Sequence, residues 1–142
     1  MNAEIAKALR AADDTLQLYV PQENDAINDK EAYANSAQIA QADLAALRDS
    51  DLLVAVIDGV EIDSGVAAEI GAFSMLGRPI VALCSDVRQQ GTSNKQKIEA
   101  LQQDALENQF IYRNLFVVGL IKENGVIVST IEDIVREVLA RR

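Results

Sequence analysis

The chain's 142 residues, 49% of them hydrophobic, suit one packed domain over residues 1–142 that buries about two thirds of its unfolded surface. With 22 acidic against 13 basic residues, a net charge of −9 and a pI near 4.4, the surface repels phosphate backbones and anionic lipid, so neither nucleic acid nor membrane is an expected partner. The absence of histidine removes Ser-His-Asp and Cys-His nucleophiles, histidine metal sites and imidazole acid–base work, and leaves carboxylates as the abundant reactive groups.

In chain order, residues 2–12 have helical spacing, residues 16–20 read as a short strand, and residues 21–33 form a polar loop rich in Asn and Asp. Residues 35–48 return to helix, with Ala37, Ile39, Ala40, Leu44 and Leu47 as its apolar positions. Residues 52–57 are a continuous apolar run of strand length, the pattern of a parallel strand covered on both faces. Residues 64–76 form a helix that stops at Gly77, where Arg78 and Pro79 suit a glycine cap and a chain that cannot continue helically. Residues 80–84 are the next buried strand. Its lone Cys84 can form no disulfide within the chain and reads as a structural thiol of a reducing compartment, which makes the cytoplasm the expected location. No signal peptide or apolar run of membrane-spanning length occurs.

Residues 94–106 read as another helix. Residues 115–121, the stretch "KENG" and residues 126–128 fit either a hairpin turning at Asn124 and Gly125 or a buried helix followed by a strand. Residues 131–139 form a terminal helix with Ile134, Val135 and Val138 on one stripe. The alternation implies an α/β fold, a doubly wound, flavodoxin- or Rossmann-like parallel sheet flanked by helices. Such a sheet opens with its central strand, whereas this chain enters directly into a helix, so the first strand is expected to be missing.

The stretch "IDGVEIDSGVAAEIGAFSMLGRP", residues 57–79, carries the chemistry. Ligands of open α/β sheets bind beyond the carboxyl ends of strands, where Asp58, Glu61 and Asp63 fall. On a helix over residues 64–76, Val66, Ile70, Phe73 and Leu76 share one arc and Glu69 lies inside it, with no Lys or Arg three or four residues away. An unpaired, partly desolvated carboxylate is costly, which marks Glu69 as a site residue. Asp63 is equally a helix cap, Gly65 a packing residue or a point of close substrate approach, and Asp58 a turn residue before Gly59.

The segment "SDLLVAVIDGVEIDSGVAAEIGAFSMLGRPIVAL" resembles the nucleoside 2-deoxyribosyltransferase family, with its aspartate loop, "D-S-G-x-x-x-E-x-G" helix start and "G-[KR]-P" exit. The likeness extends through "YVPQEND", "QADLAAL" and "ENQFIYRNLFVVGLI". It implies transfer of 2-deoxyribose between nucleobases, purines among them, in nucleoside salvage, through a covalent deoxyribosyl ester. By motif position Glu69 would be the nucleophile, Asp43 would handle the nucleobase and its proton, and Asp63 would hold sugar hydroxyls. Asn108 would be lent to the neighbouring subunit's site in a homo-oligomer, a hexamer or dimer, and Asp25 lies near a base-contacting position. The implied substrates are a deoxynucleoside and a free base, without metal or organic cofactor. The family's opening strand and "Y-x-A-G-P" loop have no counterpart before Met1, an expected shortfall of about 15 residues. Two other functions fit the same residues: an N-glycosidase that passes the sugar of a deoxynucleoside or deoxynucleotide to water, and a non-catalytic nucleoside-binding module.

Overall fold

The structure, a computed structural model, describes residues 1–23, 35–59, 61–85 and 114–142. Strands β1 (Leu53–Val56), β2 (Ile80–Leu83) and β3 (Gly125–Val128) lie parallel in the order β1-β2-β3, with Leu53 opposite Ile80 and Ile80 opposite Gly125. All four residues of the middle strand are buried, as its unbroken apolar run requires. Around the sheet stand α1 (Asn2–Ala12), α2 (Ser36–Asp49), α3 (Ser64–Ser74), α4 (Leu115–Asn124) and α5 (Ile131–Ala140).

The pleat of β2 sorts the core into two halves. Ile80 and Ala82 join Ile70 and Phe73 of α3 and Val117 and Ile121 of α4 on one face, while Val81 and Leu83 join Ile5 and Leu9 of α1 and Ile134 and Val138 of α5 on the other. The result is an open three-layer α/β sheet, and α2 packs beside α3 in the first helical layer. Arg78, just before β2, fixes that neighbour: its guanidinium donates to the carbonyls of Arg48 and Ser50, both at 2.6 Å, and so closes the carboxyl end of α2. At the other end of α2, Asn35 and Gln38 form a reciprocal capping box.

Three expectations change. Residues 16–20 are not a strand: Leu16 and Leu18 pack against the α1–α5 half of the core, so their alternation reports one-sided burial, but no strand among the described residues lies beside them. The helix over residues 64–76 ends at Ser74, because the amides of Leu76 and Gly77 bond back to the carbonyls of Phe73 and Ser74 and Gly77 takes φ 64°. Leu76 therefore leaves the buried arc and is exposed.

The open choice over residues 115–128 resolves as helix then strand. The Asn114 side chain accepts from the amides of Phe116 and Val117 at 3.0 and 3.2 Å and starts α4, and Gly125 continues directly into β3. Gly125 is there for proximity: a Cβ on it would sit 1.7 Å from the carbonyl oxygen of Ile80. Gly125→Ala must push β3 off β2 and is expected to lose at least about 1–3 kcal/mol, read as a lowered urea midpoint. The helix expected over residues 94–106 lies outside the described residues.

Candidate active site

At the carboxyl edge of the sheet, the backbone ladder continues one residue past β1 and β2: the Ile57 amide donates to the Leu83 carbonyl at 2.9 Å and the Cys84 amide to the Val128 carbonyl at 2.8 Å. Beyond β1 the chain turns at Gly59, whose φ of 112° favours glycine, and Ile62 packs onto the core before α3 begins. Asp63 is the helix cap. Its Oδ1 accepts the amides of Gly65 and Val66 at 2.9 and 3.1 Å, while its backbone carbonyl accepts the Ala67 amide at 2.8 Å. A Cβ at Gly65 would stand 3.1 Å from the same Oδ1, close enough that the cap would have to shift by a few tenths of an ångström.

Two turns into α3, Ile70 and Phe73 are fully buried and Glu69 is half-buried beside them. Its carboxyl is pushed above the ordinary value of 4.5, first by burial and then by the negative charges of Asp43 and Asp63. The named charges acting on Glu69 are thus both negative. Asp43 comes from the middle of α2, which the Asn35 cap and the Arg78 clamp hold alongside α3.

The structure therefore brings together Glu69, Asp43, Asp63 and Gly65; Asp25 and Asn108 lie outside the described residues. Such a cluster can stabilise a group that carries positive charge. No group of three or more Cys, Asp or Glu placed to hold a metal occurs among the described residues, and no described helix is long and apolar enough to cross a membrane.

Sequence reasoning placed Asp58 at the ligand-binding edge of the sheet, or as a turn residue before Gly59. Its Oδ1 accepts the Ser85 amide and its Oδ2 the Ser85 hydroxyl, both at 2.6 Å, across the ends of β1 and β2. The one signal for such a contact was the position of Asp58 immediately after a buried strand.

The Asp63 side chain serves the helix with one oxygen, Oδ1. Asp63→Asn keeps a capping oxygen and is expected to hold the Tm near that of wild type, whereas Asp63→Ala should lose about 1 kcal/mol, visible in thermal unfolding.

A solved structure of a conserved protein from Enterococcus faecalis V583 is similar to this chain with a TM-score of 0.81 and 54% identity, over 99% of this chain and 88% of that one. No curated protein matches the chain. The model of the family described as nucleoside 2-deoxyribosyltransferase matches residues 1–116, a span that includes α2, α3 and the three clustered carboxylates, and the chain belongs to that family.

Proposed function

We propose that the protein transfers 2-deoxyribose from a deoxynucleoside to a free nucleobase, with Glu69 as the nucleophile. The observation that carries this reading is the half-buried Glu69 carboxylate, raised in pKa by burial and by Asp43 and Asp63. Glu69 attacks C1′ of the sugar as the C1′–N bond breaks, and Asp43, which takes up a proton as substrate binds, passes it to the departing base and regains one from the incoming base. An incoming base then displaces the Glu69 ester, and the two inversions return the original anomer.

Electrostatics favour this sequence. Three carboxylates repel one another in the free enzyme, and that repulsion is relieved as the sugar acquires oxocarbenium character. Asp63 holds the sugar hydroxyls with the oxygen not committed to the α3 cap, and Gly65 leaves room for it. Asp25 contacts the base. The same negative field disfavours a 5′-phosphate, so nucleosides rather than nucleotides are the substrates.

The working form is a homo-oligomer in the cytoplasm, acting in nucleoside salvage, with Asn108 lent to the neighbouring subunit's site. Support for association comes from Leu115 and Phe116 at the start of α4, exposed at 50% and 74%. A solution mass equal to one chain would contradict it.

Incubation with deoxyinosine and adenine tests the reaction. Deoxyadenosine together with hypoxanthine is the expected product pair. Hypoxanthine with free deoxyribose would instead mean hydrolysis, and unchanged substrates would mean binding without catalysis.

A further inference from the structure

We infer that Asp58 is a positioning residue, which acts through Ser85 to set the place of the α3 carboxylates over the edge of the sheet. The inference rests on the reading of the site given above.

Just past the bond from the Ile57 amide to the Leu83 carbonyl, Asp58 adds a side-chain connection between the ends of β1 and β2. Both of its oxygens go to Ser85, one to the amide and one to the hydroxyl, at 2.6 Å each in a partly buried setting. Hydrogen bonds to an ionised carboxylate are short and strong, and two from one residue fix direction as well as distance. Five residues separate the buried Ile57 from Asp63, the cap of α3. Within them, Asp58 is tied to the end of β2, Gly59 takes a backbone conformation that other residues rarely adopt, and Ile62 is packed into the core.

This short connection fixes where α3 starts, and with it the height of Asp63 and Glu69 above the sheet. Catalysis by an attacking carboxylate is sensitive to such placement, because about 1 Å of displacement can reduce the rate a hundredfold. Both oxygens of Asp58 bond Ser85, and through that tie its contribution passes to the loop that leads into α3.

The test compares Asp58→Asn, Ser85→Ala, the double variant and Ser85→Thr with wild type in the deoxyinosine and adenine assay, with thermal unfolding measured in parallel. Asp58→Asn removes the charge that strengthens both bonds, keeping an oxygen for the Ser85 amide and offering an N–H to the hydroxyl, and about a tenfold loss of kcat with KM little changed is expected. Ser85→Ala should reproduce part of that loss, the double variant should be no worse than Asp58→Asn alone, and Ser85→Thr, which keeps the hydroxyl, should restore most of the rate. A loss in Asp58→Asn that Ser85→Ala does not share would place Asp58 on the substrate and overturn the inference. Lowered Tm with unchanged kcat would overturn it too, by reducing the pair to a structural tie. If wild type itself moves no deoxyribose, the transfer reading fails and this role falls with it; if wild type is active and all the variants match it, only the positioning role fails.

Discussion

Glu69→Gln is expected to lower transfer by at least about 10³-fold while raising the Tm at pH 7. The first effect follows from removing the group that bonds to C1′. The second follows from the environment of that group. Burial and the charges of Asp43 and Asp63 disfavour the ionised form, so the folded chain holds the Glu69 proton more tightly than the unfolded chain does. Stability contributed by this residue is therefore lost as pH rises from the ordinary carboxylate value of 4.5 through the raised native one. A neutral amide of the same shape escapes that loss. Because Glu69 is only half-buried and solvent screens its neighbours, the gain is small, roughly 2–4 °C in Tm, as about 1 kcal/mol produces in a chain of this size. It should shrink as pH falls below 4.5, where both side chains are neutral. Thermal unfolding across that range, beside the transfer assay, reads both halves. A variant that keeps its activity, or one destabilised at pH 7, would contradict the assignment.

Asp43→Asn is expected to reduce kcat/KM by roughly 10²–10⁴ for nucleosides whose base must be protonated to leave. A nucleoside with a base already cationic, such as 7-methyl-2′-deoxyguanosine, releases a neutral base without a proton and should recover most of the loss. The same substitution removes one of the two negative charges that raise the Glu69 pKa, so the acidic limb of the rate profile should move to lower pH. Equal losses on both substrates would show that Asp43 does not handle the proton.

Much of the architecture was legible because it is written in periodicity. β1 and β2 are apolar runs too short for helices, and α5 has an unambiguous stripe. Glu69 was legible for the same reason: once Val66, Ile70 and Phe73 define the inward arc of α3, the glutamate beside them has nowhere else to face. Residues 16–20 misled because alternation reports burial of one face, whereas a strand also needs a neighbour for its backbone, and that is a tertiary fact. Residues 115–128 were ambiguous because α4 is apolar around much of its surface; Asn114 as a cap and the close approach of Gly125 to Ile80 decide it. The tie between Asp58 and Ser85 spans 27 residues and leaves no local pattern. The proximity of Asp43 to Glu69 depends on how α2 packs on α3, so it entered through likeness to a family rather than through spacing.

In the proposed reaction the Glu69 carboxylate becomes bonded to the sugar. Mixing the protein with deoxyinosine in the absence of an acceptor base, quenching rapidly in acid and measuring the intact and proteolysed masses tests it directly. A fraction of chains heavier by one deoxyribosyl group, with the added mass confined to the peptide that contains Glu69 and absent from Glu69→Gln, is the predicted result. Turnover with no such adduct, or an adduct on a different residue, would contradict it.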